Sequence, residues 1–362
     1  MLSIIVPTFN EAGNLPGLAA ALRENLVDVQ YELLISDDHS EDGTPDVVER
    51  LAAENHPIKL VQASDRPRDL SLSVLDGIRS SQYDTVVVMD ADLSHPPEVI
   101  LEMLVKLRED PNNFVVGSRY VAGGSFDRAW SVWRFINSHV ATLIAKPLTS
   151  CGDPMSGFLA FNKRNIHIDQ LNPLGYKIGL ELIVRGEFSN VCEVPISFQD
   201  RTIGESKMNL QQQIKYLRHL RRLYVHKFGS LAEFVNFGAV GASGFVIDIC
   251  FYFIFQWLGL GHITARALSF WPAVSWNWAL NRVSTFGERK KRPKTRQWIE
   301  FVSSSSIGFA LSWGTYTYTT TRYEFFEEYK VGALVLGIIL ASVFNFAASS
   351  LFVYSNKRAS ER

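Results

Sequence analysis

The first part of the chain alternates short apolar runs with amphipathic segments. Between the runs, apolar residues recur at helical spacing, as Leu15, Leu18 and Leu22 do, which predicts helices packed on one face. Five apolar runs predict buried strands, at residues 3–7, 31–36, 58–62, 85–89 and 114–117. Strands that alternate with helices predict an α/β domain whose central sheet is mostly parallel.

Polar side chains cluster where four of these predicted strands end. In parallel sheets, ligands bind beyond the carboxyl ends of the strands. The pattern therefore predicts a ligand site built from these side chains. In strand order they are Asn10 and Glu11, Asp37 and Asp38, Asp90 and Asp92, and Ser118 and Arg119.

The pattern changes near residue 230, where long apolar stretches begin. Each is long enough to cross a membrane, which takes about 20 residues. Buried helices of a large soluble domain are the alternative, but four stretches in succession, flanked by Trp, Tyr and Arg, favour membrane spans. We expect spans at about 231–258, 262–286, 298–321 and 331–354, within a four-helix transmembrane domain at 229–362.

The loops between these stretches differ in charge. By the positive-inside rule, basic loops lie in the cytoplasm. The chain is thus expected to be a multi-pass membrane protein whose N-terminal domain and C-terminus are cytoplasmic. The basic residues are Arg289, Lys290, Lys291, Arg292, Lys294 and Arg296 in the second loop and Lys357, Arg358 and Arg362 in the tail, whereas the third loop carries Glu324, Glu327 and Glu328.

The apolar region also contains a faint internal repeat. The pair Phe234 and Phe237, followed by Gly244, recurs 64 residues later, and Trp276-Asn277-Trp278 recurs 68 residues later as Phe344-Asn345-Phe346. Two related helical hairpins would produce this pattern. Chance similarity among aromatic-rich apolar segments is the alternative.

Residues 209–228 connect the two regions and predict a basic amphipathic helix. Such a helix next to a membrane span is expected to lie in the interface and contact anionic headgroups. A solvated linker helix is the alternative. One face carries Leu210, Ile214, Leu217, Tyr224 and Phe228, and the basic residues are Lys215, Arg218, Arg221, Arg222 and Lys227.

Composition excludes several classes of protein. The 362 residues include 47% hydrophobic side chains, which excludes a disordered chain. The net charge of −1 argues against a dedicated nucleic-acid binder. Three cysteines without a CxxC pair make a disulfide scaffold or a cysteine zinc site improbable. The start of the sequence has no basic stretch followed by an apolar core, so no signal peptide is expected.

The sharpest chemical motif is Asp90-Ala91-Asp92, directly after an apolar strand. Two carboxylates at this spacing can hold one hard divalent cation, and Mg²⁺ and Mn²⁺ prefer oxygen ligands. Asp-x-Asp alone is common in surface turns. Its position after a buried strand makes a metal site the stronger interpretation.

With its ordered motifs, the chain resembles the inverting nucleotide-sugar glycosyltransferases, and most closely the dolichol-phosphate mannose synthase branch. The resemblance implies a GT-A, Rossmann-like catalytic domain at residues 1–208, and the apolar region resembles GtrA-like four-span domains. It is carried by Pro7-Thr8-Phe9-Asn10-Glu11, Asp37-Asp38-His39-Ser40-Glu41-Asp42-Gly43-Thr44, Asp90-Ala91-Asp92-Leu93-Ser94-His95-Pro96-Pro97, Gly117-Ser118-Arg119-Tyr120, Ser156-Gly157-Phe158 and Arg201-x-x-Gly204-x-Ser206-Lys207.

The same resemblance implies roles for individual residues. Asp90 and Asp92 would hold the metal; Ser94, where the family often has Gln, would be its third ligand. Phosphate contacts suit Arg and Lys because guanidinium groups bind phosphate bidentately and Lys supplies a point charge. The implied nucleoside and donor contacts are Pro7, Phe9, Glu11, Ser36, Asp38, Asp90, Ala91, Asp92, Arg119, Arg201 and Lys207; the acceptor-phosphate contacts are Arg119, Arg134 and Ser138; the catalytic group is Asp92, Arg119, Arg134, Arg201 and Lys207.

The implied activity is transfer of mannose from GDP-mannose to a polyprenyl phosphate with inversion, using Mg²⁺ or Mn²⁺. UDP-glucose or another donor is the alternative within this class. Translocation of the lipid-linked sugar by the membrane domain is an alternative from a different class, since Asp248 lies inside a predicted span. A catalytically inactive scaffold is disfavoured because the motifs around Asp90, Asp92 and Arg119 are intact.

Overall fold

The computed structural model describes residues 1–63, 66–126, 132–198, 210–289 and 292–355, and for 126, 132–138, 210 and 211 the backbone alone. The chain divides into two compact units, Met1–Lys227 and Phe228–Arg362. Each unit is described by itself below.

The first unit contains a seven-stranded sheet among the described residues, in the order β3-β2-β1-β4-β7-β5-β8. β1 pairs in parallel with β2 and β4, and β5 in parallel with β8. β7 is antiparallel to both of its neighbours, β4 and β5. The strands are β1 (Leu2–Thr8), β2 (Tyr31–Asp37), β3 (Ile58–Gln62), β4 (Thr85–Val88), β5 (Asn113–Ser118), β6 (Ser125–Phe126), β7 (Leu159–Asn162), β8 (Asn190–Pro195) and β9 (Ser197–Phe198).

The mostly parallel α/β sheet predicted from the sequence is confirmed, and β7 and β8 are the strands that the sequence did not predict. β6 and β9 form a separate two-stranded ladder. The helices of this unit are α1 (Leu15–Asn25), α2 (Thr44–Ala53), α3 (Leu70–Ser80), α4 (Val99–Glu109), α5 (Val132–Ala145), α6 (Ile178–Arg185) and α7 (Leu210–Phe228).

The sheet is buried on both faces, which explains why its strands are continuous apolar runs instead of alternating ones. Ile4 and Val87 belong to the core on one face, and Ile5 and Val86 to the core on the other. At Gly117, in β5, a Cβ atom would lie 2.6 Å from the ring of Phe158, the residue before β7, so no side chain fits between β5 and this ring.

Helix α7 presents two apolar faces. Tyr216, Leu220 and Leu223 are buried against α5 and α6. Of the face predicted from the sequence, Ile214, Leu217 and Phe228 are 41%, 56% and 37% exposed, whereas Tyr224 packs at the edge of the buried cluster. The helix therefore packs on the rest of the first unit through one stripe and leaves a second stripe largely uncovered by this unit.

The second unit consists of two packed helix pairs. α8 packs against α9, and α10 packs against α12. In each pair the second helix ends in a π-helical turn, Asn281–Thr285 or Ser349–Val353. The helices are α8 (Ser230–Trp257), α9 (His262–Leu280), α10 (Lys294–Arg322), α11 (Glu324–Glu328) and α12 (Lys330–Ala348).

The two pairs carry the repeat seen in the sequence. Gly244 of α8 faces the Asn277 side chain of α9, and Gly308 of α10 faces the Asn345 side chain of α12. Phe286 and Tyr354, which follow the two π-helical turns, stack with ring centroids 4.5 Å apart. Two helical segments, Ser230–Trp257 and Lys330–Val353, are long and apolar enough to cross a membrane by length and composition. The four-span count stays a prediction.

Candidate active site

The paired carboxylates lie in a tight turn just beyond β4. The Asp92 Oδ1 atom accepts hydrogen bonds from the Ser94 backbone N–H at 3.1 Å and from the Ser94 hydroxyl at 2.6 Å. Leu93, between Asp92 and Ser94, has a φ of 60°, a left-handed conformation that is uncommon for a residue other than glycine. Ser94, predicted as a metal ligand, is buried and orients the Asp92 carboxylate here.

The His95 side chain holds the backbone of Asp90 in this turn. Its Nδ1 atom accepts the Asp90 backbone N–H at 2.9 Å, and its ring stacks on Phe158 at 5.1 Å between centroids. Burial lowers the pKa of His95, so the imidazole is neutral at pH 7 and can accept this hydrogen bond. A Cβ at Gly157 would lie 3.3 Å from His95 Cε1, a tight contact, and 3.7 Å from Asp90 Oδ1, an ordinary van der Waals distance, so Gly157 packs against both side chains.

Arg119, from the segment after β5, is held by a partner that the sequence did not predict. Its Nε and Nη2 atoms donate to the two carboxylate oxygens of Asp153 at 2.7 and 2.8 Å. Asp153 is fully buried, and its own backbone N–H donates to Glu193 at 3.1 Å. A bidentate pair of this kind fixes the plane of the guanidinium.

Lys177 is a second residue that the sequence analysis missed. Its Nζ donates to the Met155 carbonyl oxygen at 2.7 Å. Burial, and next to it the charge of Arg119, lowers the pKa of Lys177 to about 8, while the charges of Asp153 and Asp90 act in the opposite direction. The ammonium group therefore belongs to the same charge cluster as the predicted metal ligands.

The predicted nucleoside contacts lie at the ends of β1 and β2. The Asp38 carboxylate accepts from Arg66 Nη1 at 3.1 Å and from the Asp69 backbone N–H at 2.8 Å. The Arg68 guanidinium lies 4.1 Å from the centroid of the Phe9 ring, a cation–π contact.

Other predicted site residues have different surroundings. Ser36 is fully buried and donates its hydroxyl to the Ser73 carbonyl at 2.5 Å, which fastens β2 to α3. Glu11 accepts a hydrogen bond from the Asn14 amide at 2.6 Å. Pro7 is within β1, and Ala91 is buried between the two aspartates.

Four predicted phosphate contacts cannot be placed by their side chains. Arg201 and Lys207 lie outside the described residues. Arg134 and Ser138 lie on α5, in the part for which the backbone alone is described. The described site therefore comprises four parts. They are the turn that carries Asp90 and Asp92 (the carboxylate turn), the Arg119–Asp153 pair, Lys177, and the predicted nucleoside contacts at the ends of β1 and β2 (the nucleoside end).

Polar residues at the carboxyl edge of a parallel sheet, with paired carboxylates beside fixed cations, define a nucleotide-sugar transferase type of site. Residues 3–167 match the model of glycosyl transferase family 2. Residues 236–354 match the GtrA/DPMS transmembrane domain, and together with the two long apolar helices this makes the chain a membrane protein.

Three relatives carry the same name, dolichol-phosphate mannosyltransferase. The Pyrococcus furiosus protein is 32% identical and the alignment covers 86% of this chain and 90% of that protein. The Mycosarcoma maydis protein is 37% identical over 63% of this chain and 81% of that protein. The Saccharomyces cerevisiae protein is 35% identical over 66% of this chain and 93% of that protein. The chain thus belongs to the dolichol-phosphate mannosyltransferase family.

Among solved structures, a similar one is glucosyl-3-phosphoglycerate synthase from Mycobacterium tuberculosis, in complex with Mn²⁺, UDP and glucosyl-3-phosphoglycerate. It is 19% identical, with a TM-score of 0.45, and the match covers 63% of this chain and 80% of that one.

Proposed function

We propose that the chain transfers a mannosyl group from GDP-mannose to a polyprenyl phosphate, with inversion at the anomeric carbon. The proposal rests on its family and on one structural observation. Asp90 and Asp92 follow β4, Arg119 follows β5 and is held by Asp153, and the Lys177 ammonium is bound to the Met155 carbonyl, two residues before the glycine that lies beside Asp90. Such a mixture of carboxylates and cations suits a metal-bound diphosphate.

A divalent cation, Mg²⁺ or Mn²⁺, would be held by the carboxylates of Asp90 and Asp92. No group of three metal-ligating side chains occurs in the described part of the chain. Two carboxylates nevertheless fit Mg²⁺ or Mn²⁺, because such ions take their remaining ligands from water and substrate phosphates. The bound ion supplies positive charge that offsets the charge of the leaving diphosphate.

The acceptor determines what the protein side chains must do. A phosphate monoester is largely ionised near pH 7, since its second pKa is about 6. Its oxygen can therefore form the bond to the anomeric carbon without loss of a proton to the protein, while the bond from that carbon to the diphosphate breaks. We propose no catalytic base, and assign catalysis to positioning and charge stabilisation.

Cations and a hydroxyl would perform this stabilisation. Arg119, fixed by Asp153, would present its guanidinium to phosphate. We propose Arg134 and Ser138 as acceptor contacts, and Arg201 and Lys207 as donor contacts. Their basis is the family motif, and the variants of each residue in a transfer assay would test it.

The nucleoside would bind at the ends of β1 and β2. We propose that Phe9 and Asp38 line this site, together with Pro7 and Glu11. The Ser36 hydroxyl is occupied by Ser73, so a role for Ser36 in binding would be through shape or backbone.

The exposed stripe of α7 would contact the membrane interface. Helix α5 lies beside α7 and adds its own exposed surface to the stripe. Tyr216 Oη donates to the Ala141 carbonyl at 2.9 Å and Tyr224 Oη to the Ile144 carbonyl at 2.6 Å. On α5, Leu143 is 65% exposed. Exposed apolar residues beside basic ones are typical of interfacial helices.

We accordingly propose a catalytic domain at 1–208, an interfacial helix at 209–228 and a four-span domain at 229–362. The catalytic domain and C-terminus would be cytoplasmic, as the loop charges indicate. Asp248 of α8 is paired with Arg266 and with the Ser269 hydroxyl of α9. This pairing supports an anchoring role over sugar translocation, because the intramembrane charge is already neutralised.

One assay tests the proposed activity. The full-length protein is given GDP-mannose or UDP-glucose with a polyprenyl phosphate, with and without EDTA. We expect mannosyl transfer that EDTA abolishes. Transfer from UDP-glucose alone would overturn the donor assignment, and transfer from neither donor would overturn the activity.

The same assay tests the metal ligands. Asp92→Asn should lower the rate by about 100-fold or more, the effect of removing one preorganised stabilising group. The matched control is Asp28→Asn, an exposed aspartate in the turn after α1. Full metal-dependent activity of Asp92→Asn would refute the metal assignment.

A further inference from the structure

Resting on the proposed function, we infer that Lys177 binds a phosphate oxygen of the reacting substrates. Lys177 comes directly before α6, in a loop that carries no pattern of the family motifs. The Lys177 side chain is anchored beside Asp90, is surrounded by charged side chains and has N–H donors available for hydrogen bonds.

The anchor of Lys177 places it beside the carboxylate turn. Its Nζ donates to the carbonyl of Met155, two residues before Gly157. Gly157 lies beside the Asp90 carboxylate, since a Cβ built on it would be 3.7 Å from Asp90 Oδ1. The ammonium is thereby tied to the segment that contacts the predicted metal ligand.

The surroundings of the ammonium contain both signs of charge. Arg119, Asp153 and Asp90 are the charges that act on it. Asp153 already accepts three hydrogen bonds from Arg119, two from its guanidinium and one from its backbone N–H. A second cation held beside the Arg119–Asp153 pair is costly in a half-buried site, and an incoming phosphate would offset that cost.

Lys177 also has donors to offer. An ammonium group carries three N–H donors, and within the described part of the chain the hydrogen bond of Nζ is to Met155. Nζ also lies 4.8 Å from the centroid of the Tyr176 ring, a cation–π contact, and two N–H donors have no hydrogen-bond partner among the described residues and are available for phosphate oxygens.

The loop before Lys177 is fastened to the nucleoside end of the site. Asp69 accepts the Gly175 backbone N–H at 2.8 Å through Oδ2, and the Asp69 backbone N–H donates to Asp38 at 2.8 Å. Lys177, two residues after Gly175, thus has a fixed position relative to the place where the nucleoside is proposed to bind.

The phosphate could belong to the donor diphosphate or to the lipid acceptor, and two binding measurements separate these sources. Titration calorimetry with the full-length protein measures the Kd of GDP with Mn²⁺ and, separately, of citronellyl phosphate. Lys177→Met should weaken one of the two by about 10-fold, the effect of a charged hydrogen bond. Lys177→Arg, which keeps the charge, should recover part of the loss.

Lys163→Met is the matched control. Lys163 is also half-buried and donates to a carbonyl, that of Ser81, at 2.6 Å, but at the opposite end of β7. Steady-state kinetics should show a fall in kcat of about 100-fold for Lys177→Met and no change for Lys163→Met.

Unchanged affinity for both ligands in Lys177→Met would overturn the inference, and so would an equal loss in Lys163→Met. A circular-dichroism melt identifies a misfolded variant, and Lys177→Gln then replaces Lys177→Met. If the wild type binds UDP in place of GDP, the donor assignment fails while the same comparison, made with UDP, still tests Lys177.

Discussion

The two units of the chain differ in where their large apolar side chains lie, although one cluster around Phe286, Phe301 and Tyr354 is buried in the second unit. In the catalytic unit, large aliphatic and aromatic side chains such as Ile5 and Phe114 are fully buried. In the second unit, small and polar residues such as Gly244, Ala265 and Ser269 are buried, while Phe245 is 64% and Trp313 64% exposed.

This difference follows from the solvent of each unit. Water drives large apolar groups inward in the first unit. Lipid is as apolar as the side chains, so helices in a membrane associate through close backbone packing and interhelical hydrogen bonds. Single substitutions should therefore act through buried charge in the first unit and through helix contact in the second.

The largest effect on stability is expected from Asp153→Ala. The change leaves Arg119, 10% exposed at its side chain, without its carboxylate. Loss of one partner of a buried pair costs about 3–5 kcal/mol. Hydrogen exchange measured by mass spectrometry should show this fall in the opening free energy of β5.

Asp84→Ala provides the comparison. Asp84 pairs with Arg164, and these side chains are 38% and 75% exposed. An exposed pair contributes at most about 1 kcal/mol. Equal costs for Asp153→Ala and Asp84→Ala would mean that burial does not govern charge pairs in this unit.

A smaller effect is expected where the second unit packs its helices. At Gly244 and Gly308, an added methyl group would overlap the side chains of Asn277 and Asn345. Gly244→Ala and Gly308→Ala should each cost about 1–3 kcal/mol, as overpacking does. Thermal unfolding in detergent, followed by loss of helical signal, measures this cost.

The control for both is Gly241→Ala, which adds its methyl group to open space on α8. It should leave the melting temperature unchanged or raise it, because Gly in a helix is about 0.5–1 kcal/mol less favourable than Ala. Because the two glycines occupy matching positions of the repeat, a cost at one and none at the other would show that the two helix pairs are not equivalent in packing.

The sequence predicted the parallel sheet because its buried strands are continuous apolar runs, and it located Asp90, Asp92 and Arg119 because strand ends carry ligand sites. It missed Asp153 and Lys177 since both lie in loops whose pattern carries no period. Asp153 acquires its role by pairing with Arg119, 34 residues away in sequence. β7 was missed because tertiary packing, and not a local sequence pattern, determines its antiparallel insertion between β4 and β5.

Helix α7 shows the same limit of a periodic pattern. The sequence predicted one apolar stripe, whereas the structure has a second, Tyr216, Leu220 and Leu223, that packs on the catalytic unit. His219 Nε2 and Glu181 Oε2, both buried, lie 2.8 Å apart and strengthen this packing. His219 lies in sequence between Arg218 and Arg221, which the sequence analysis predicted to contact headgroups. A pattern can therefore show that a helix is amphipathic without showing how many surfaces it contacts.

The smallest effect on stability is expected at the exposed stripe. Leu217→Ser removes an apolar side chain that the catalytic unit does not bury, so unfolding should change by no more than about 0.5 kcal/mol. If the stripe lies in the membrane interface, transfer to a polyprenyl phosphate in liposomes should fall severalfold, while transfer to soluble citronellyl phosphate should not change. Leu101→Ser on α4, where the leucine is 44% exposed, is the matched control. Equal losses with both acceptors would place Leu217 in the catalytic unit's own packing, and the proposed interfacial role of α7 would then be wrong.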